Sequence, residues 1–442
     1  MDGARRLGGR WAMIGWAAVG VCLLASPALA KKLKVKSKGQ LSIEGRVFQP
    51  DDIDRTQDTG LGLSGRLEAK AKYKPFDGQL RLFSRVDALD DTRNLVAIEE
   101  LYLGFKMKPV RVRVGYQLLN WSATEAFHPA DMLNARNYDS RLENPEKLGE
   151  PMVEVRVRFW EGNVSAYYMP VRRAPILPRS ASRLSPFPKR LDVPLGAPLF
   201  SGRDRQIGDD WLEHQWALRV QQSLGDADLS LHVFQHVDRS QPTQVVDLAT
   251  GDIRPLFHFV TQIGGTWQQV FGPLVGKLEV GHREFGYPDP DPRYRLTHRE
   301  MLDHTQIAAG LEFGWGIGQG EGTIILEGQA MITYDEPRLA APDLGPYQRD
   351  ALLGYRHTFN DEASTRLQAG FILDLEDPSE WMVAARFERR LGDDWSLEAN
   401  LRAVVAEPDD AGGGAALGEL IAVGLERWNN ANELNLTLSR FF

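Results

Sequence analysis

The sequence holds a single cysteine, Cys22. From residue 23 onward, disulfide frameworks, zinc–thiolate sites and thiol nucleophiles are therefore excluded. Long apolar runs are also missing past the first thirty residues, and mean hydropathy is −0.34, so no helix of the roughly 20 residues needed to cross a bilayer is expected. The nine histidines are scattered; only His232 and His236, on either side of Phe234, approach a pair, and they read as wall lining rather than metal ligands. There is no G-x-S-x-G, H-E-x-x-H or P-loop. PDPDP at 288–292 and PDDAGGG at 408–414 lack the ligand spacing of a calcium loop and read as turns. No linker flanked by a change in composition divides the chain, which argues for one domain. Net charge is −8, a balance that speaks against nucleic acid as a partner. No catalytic group, metal or cofactor is expected.

What is present begins with an export signal. Arg5, Arg6 and Arg10 precede an apolar run from Trp11 to Leu24, and SPALA at 26–30 ends in A-x-A, so residues 1–30 read as a cleaved signal peptide. Residues 31–40, rich in lysine, read as a spacer. Then alternation takes over. In RVRVGYQ (111–117) and MVEVRVRF (152–159), Val110, Val112, Val114, Val153, Val155, Val157 and Phe159 alternate with Arg111, Arg113, Glu154, Arg156 and Arg158. Period two places apolar residues on one face and charges on the other. A soluble sandwich rarely sets so many long cations opposite one another. A barrel with lipid outside and water inside can.

Similar segments recur from Leu41 to the C-terminus, giving about 19 candidate strands of bilayer-crossing length. Short gaps (KPFDG, KP, EGN, LGDA, FGP, GQGEG, NDEA, LGDD) take turns with much longer ones. Such sorting of loops by end belongs to transmembrane barrels, whose strand number is even, so one candidate is surplus, and the stretch 417–442 is where it is sought. The fold expected over 41–442 is all-β: one transmembrane antiparallel barrel of about 18 strands, within 16 to 20, with a loop that folds inward or caps the mouth. Trp160, Trp211, Trp216, Trp267, Trp381, Trp395 and Trp428 fall near strand ends, as interfacial girdles do.

The last strand, LNLTLSRFF, with apolar Leu434, Leu436 and Leu438 and a terminal Phe442, resembles the C-terminal signature of Gram-negative outer-membrane barrels. That resemblance implies recognition of Phe442 by the barrel-assembly machinery. GYQLLNW (115–121) and HPADMLNARNYD (128–139) resemble porin-like barrels related to alginate-export proteins, which implies passage of a solute. Porins also imply a loop bent into the lumen and, as an allowed assembly, a homotrimer.

The inward faces of the early strands carry Arg66, Lys70, Arg81, Arg85, Arg111, Arg113, Arg156 and Arg158, with Glu154 among the few acids. Such a wall favours anions, or else it is a salt-bridged filler. Later strands (Glu279, Arg283, Glu327, Arg366, Arg386, Glu388, Glu398, Arg402) are mixed in sign. The loop 118–151 is too long for a hairpin connection. Ser122 and Glu125 fit a capping box, so short helical turns are expected there. Trp121, Glu125, His128, Asp131, Arg136, Asp139 and Arg141 are its candidate constriction residues, whether it enters the barrel or lies over it. The basic, proline-rich loop 172–210 could meet anionic solutes or lipopolysaccharide phosphates, or be only solvated. The expected function is passive diffusion of small, anionic solutes through a porin-like channel in the outer membrane of a Gram-negative bacterium, in contact with its lipid and lipopolysaccharide. The alternatives are a sealed structural or adhesive barrel, and an outer-membrane lipid hydrolase.

Overall fold

A computed structural model describes residues 33–50, 57–179, 182–185, 196–240, 242–296, 303–334, 347–406, 424–429 and 431–442. Eighteen antiparallel strands close into one barrel. They are β1 Lys34–Phe48, β2 Thr59–Tyr73, β3 Phe76–Asp87, β4 Leu95–Met107, β5 Val110–Gln117, β6 Glu150–Phe159, β7 Gly162–Val171, β8 Leu212–Leu224 and β9 Ala227–Val237, followed by β10 Phe259–Phe271, β11 Leu274–Gly286, β12 His304–Ile317, β13 Gly320–Thr333, β14 Arg349–Thr358, β15 Arg366–Asp374, β16 Trp381–Leu391, β17 Trp395–Val405 and β18 Glu433–Phe441. The surplus candidate is the one at 417–427. Its described part opens a 3-10 turn, Gly424–Trp428, and the barrel closes without it. The signal peptide lies outside the described residues, as does PDDAGGG. The expected spacer is shorter than drawn, because β1 begins at Lys34 and pairs with β2 from Lys34↔Lys72 onward.

Period-two alternation builds the wall as expected. Leu41, Ile43, Leu63, Leu103, Val114, Leu231, Ile263, Leu311, Leu326, Leu353, Leu401 and Leu436 stand exposed on the outside, where lipid replaces water. Six connections at one end are two-residue turns: Lys74–Pro75, Lys108–Pro109, Trp160–Glu161, Gly225–Asp226, Gly272–Pro273 and Gly318–Gln319. Gly225, Gly272 and Gly318 take φ near +60° in them, a conformation only glycine adopts freely. At the same end the seam closes: Gly39 N–H donates to the Phe442 carbonyl at 2.8 Å, and the Phe442 ring fills the space where a Cβ on residue 39 would stand.

The long connections gather at the other end. Leu199–Ser201, Ile207–Gly208, Thr243–Asp247, Ile253–Phe257 and Tyr294–Leu296 form a five-stranded sheet there, packed around Leu199, Val245 and Leu256. Trp160 (96 % exposed) and Trp211 (63 %) face outward as girdle residues. Trp428 does not. It is buried among Leu184, Leu425 and Phe127, and its indole N–H donates to the Leu184 carbonyl at 3.3 Å.

Candidate functional site

The segment between β5 and β6 enters the barrel and crosses it. No helical turn forms in it. The capping-box pairing of Ser122 with Glu125 fails because a wall carboxylate takes the donors instead. Glu279 on β11 accepts from Ser122 Oγ (2.8 Å), Thr124 N (2.8 Å), Thr124 Oγ1 (2.7 Å) and Ala130 N (3.1 Å), and also from Ala123 N. Glu327 on β13 accepts from Glu125 N at 2.5 Å and Ala126 N at 2.8 Å. Gln262 Nε2 donates to the Pro129 carbonyl at 2.8 Å. Without these partners the chain would carry buried, unpaired N–H groups. Two inward-facing acids thus do for an irregular loop what a ladder does for a strand.

Each candidate constriction residue has a definite place. Trp121 is 3 % exposed and lies on the inner wall of β7–β9, with Tyr167 at 5.7 Å, His232 at 5.2 Å and the Arg219 guanidinium 4.9 Å above its ring. Glu125 bonds Lys277 at 3.0 Å and Arg356 at 2.7 Å; burial pushes its carboxyl up, but Lys277 and Arg356 hold it below its ordinary value. His128 Nδ1 meets Ser122 Oγ at 2.7 Å, and burial holds its imidazole below the ordinary value. Asp131 caps Trp121 N and takes Arg136 at 3.3 Å together with Lys147, so Asp131 and Arg136 serve the loop's own hairpin rather than a passage. Asp139 accepts from Ser182 Oγ at 2.7 Å, and burial raises its carboxyl. Arg141 reaches the far wall, where it donates to Glu398 Oε1 at 2.6 Å. Of the seven, Glu125 is left exposed, and Arg141 lines the main open space.

That space is a cavity of about 470 Å³ between the loop tip and strands β1–β3 and β15–β18. Seven arginines line it (66, 85, 141, 366, 386, 389 and 390) against four glutamates (44, 146, 388 and 398). Of the wall residues expected from sequence, Arg66 and Arg85 belong to this lining. Lys70, Arg81, Arg111, Arg113, Glu154, Arg156 and Arg158 do not. Most are engaged in salt bridges: Lys70 with Glu68 at 2.5 Å, Arg66 and Arg81 both with Glu99 at 2.8 Å, Arg111 with Asp77 at 2.6 Å, Arg113 and Arg156 with Glu154 at 3.5 and 2.7 Å. Arg111 and Arg156 stand opposite each other in register, a like-charge pair that these separate acids relieve. Towards the long loops a separate small pocket of about 20 Å³ lies beside Arg46, Arg93 and Arg183. There Glu433 bridges Arg46 and Arg402 at 2.5 Å each, and Arg183 pairs with Asp58.

The basic loop 172–210 is partly internal. Arg183 and Leu184 are each 2 % exposed, Arg172 pairs with Glu213 at 2.8 Å, and Arg173 donates to the Gly149 carbonyl. His232 and His236 face inward as expected, buried beneath Trp121 and Phe234, and no three metal-ligating side chains converge among the described residues. The sequence shows Glu279, Glu327 and Glu398 only as inward charges; nothing local to them announces loop partners 155, 202 and 257 residues away in the chain.

No protein-family profile matches the chain, and no curated protein matches it. Solved structures do. The crystal structure of Pseudomonas aeruginosa OccK2 (OpdF) in complex with glucuronate superposes with TM-score 0.51 at 11 % identity, over 92 % of this chain and 98 % of that one. P. aeruginosa OpdO gives 0.51 at 10 % identity over 93 % and 97 %, and OccK11 (OpdR) gives 0.50 at 10 % over 93 % and 96 %. The likeness to alginate-export barrels is not carried by these comparisons. Eighteen closed strands, a lipid-facing apolar outside and an inward loop give this chain the fold of the porin-like barrels of Gram-negative outer membranes.

Proposed function

We propose that the chain is an outer-membrane channel for passive diffusion of small, anionic solutes, with the long loops outside and the short turns in the periplasm. One observation carries the reading: the cavity beside the loop tip is lined by seven arginines and four glutamates, inside a chain whose net charge is −8. Charges concentrated on a water-filled wall set a field that low-dielectric surroundings focus, and rings of arginine draw anions. The crossing loop sets the size of the passage, because its tip forms one side of the cavity. No bond is made or broken. That OccK2 was crystallised with glucuronate agrees with an acid of sugar size, and such a solute fits 470 Å³.

A sealed barrel is the second reading, favoured by the buried ion-pair cluster of Arg46, Arg93, Arg402, Glu44 and Glu433 towards the long loops. One measurement separates the two. In a planar bilayer with a salt gradient, the purified chain is expected to give steady single-channel steps and a reversal potential of anion-selective sign. Absence of current would establish the sealed barrel, and cation selectivity would remove the basic lumen as its filter.

A further inference from the structure

Five wall carboxylates each bridge two arginines: Glu99, Glu154, Glu433, Glu44 and Glu398. The first three lie outside the cavity lining; Glu44 and Glu398 line it, but the two arginines that Glu44 joins, Arg46 and Arg93, are buried. Glu398 also differs in what it joins. Arg141 comes from the tip of the crossing loop and bonds Oε1 at 2.6 Å; Arg386 comes from β16 and bonds Oε2 at 2.8 Å; Asn400 Nδ2 adds a third donor at 2.8 Å. Both arginines remain partly open to the cavity, with side chains 39 % and 38 % exposed. Beside them Arg366 lines the same space and has no carboxylate partner among the described residues.

We propose that Glu398 is an internal competitor for the channel's anion site. Its carboxylate occupies the donors, Arg141 and Arg386, that a solute carboxylate or other oxyanion uses on its way through. The inference rests on the anion-channel reading and goes beyond it by naming the residue that sets how tightly a solute is held. Arginine binds carboxylates through paired, charge-assisted hydrogen bonds; Arg386 keeps a second acid, Glu388, but without Glu398 a bare Arg141 beside it would hold an anion long enough to block the lumen. Conduction needs binding strong enough for entry and weak enough for exit. With Glu398 in place, entry exchanges one carboxylate for another, so that each arginine keeps a partner and the net gain on binding stays small. Arg366 supplies the first contact. Because Arg141 belongs to the loop, the same exchange frees the loop tip from β17 while the solute is present.

The test uses the full chain in planar bilayers, with chloride as the current carrier and gluconate as the probe, and records the gluconate concentration that halves the chloride current. Glu398→Gln keeps the shape and loses the charge; half-block is expected at about tenfold lower gluconate, with longer dwell times. Glu398→Asp restores the charge and is expected to return half-block to within about threefold of the parent. Arg386→Gln removes a donor and is expected to shift half-block the other way. These variants read the site independently, so failure of one to give heat-modifiable, folded barrel leaves the others decisive. Unchanged half-block in Glu398→Gln, or equal shifts in Glu398→Gln and Glu398→Asp, would overturn the role of Glu398 while leaving an anion-selective channel intact. A parent chain that conducts no chloride would overturn the channel reading itself.

Discussion

The two halves of the barrel share one outside and differ in what fills the inside: the crossing loop on one, a cavity on the other. On β7–β14 the inward positions include Tyr167, Met169, Ala217, Phe234, Val260, Ala308, Ile325 and Leu352, each buried, and the crossing loop lies against them through Trp121, Leu133 and Phe127. On β1–β3 and β15–β18 the inward positions include Ser42, Glu44, Arg66, Arg85, Arg366, Arg386, Glu398 and Thr437, and these face a cavity. Inward charges stand on β7–β14 too, where Lys277, Glu279 and Glu327 bond the loop; there the loop also covers apolar wall that would forfeit about 25 cal/mol for every Å² left to water, and the cavity side stays open. Burial of loop and wall on one side therefore fixes the position of the passage on the other.

The strongest way to break this contrast is to remove what covers the β7–β14 half. Deleting residues 122–146 is expected to raise single-channel conductance several-fold; an unaltered conductance would mean that the passage does not run beside the loop. Replacing Glu279 by Ala comes next. It strips the acceptor from five loop donors, and hydrogen bonds to a charged group contribute about 1.5–3 kcal/mol each. Flickering between conductance levels is expected, while a steady parental level would show that Trp121 and Phe127 hold the loop by packing alone.

Charge reversal sharpens the other half. Arg85→Glu with Arg386→Glu is expected to move the reversal potential well toward cation preference, because both line the cavity. Arg113→Glu with Arg156→Glu is expected to move it less, since both arginines lie outside that lining and already share Glu154. Equal shifts would spread the filter along the whole basic wall. The smallest effect concerns pH. Burial holds His128 below its ordinary value, so the folded loop disfavours the imidazolium. The stability this confers is complete above about pH 6.5, the unfolded value, and declines as pH falls toward the folded one. Current noise is expected to grow between pH 7 and 5 in the parent and to stay flat in His128→Gln.

Much of the barrel was legible before any coordinate. Val112 and Arg113 alternate because the pleat does, so outside and inside are assigned residue by residue from a local rule. The same rule misled at 417–427, whose described residues from Gly424 form a 3-10 turn that ends at the buried Trp428. It misled at Ser122 as well. A capping box is a short-range pattern, and it gave way to Glu279 on another strand, which satisfies more of the loop's donors at once. Among the candidate filter residues, sequence located inward arginines but could not rank them, because Arg85 and Arg113 differ only in what other segments place beside them.

The approximate strand number, membrane-facing residues, the end that carries the turns and the charge of the early wall were determined by the sequence alone, since each depends on neighbours within a few residues; the exact count of 18 came with closure of the barrel. Tertiary structure decided that the 118–149 loop goes inside, that it lies on β7–β14, and that Arg141 meets Glu398 across the lumen. Those contacts join residues more than 150 positions apart. Which distant surfaces meet is settled by burial and hydrogen-bond satisfaction over the whole closed barrel, and no local period encodes it.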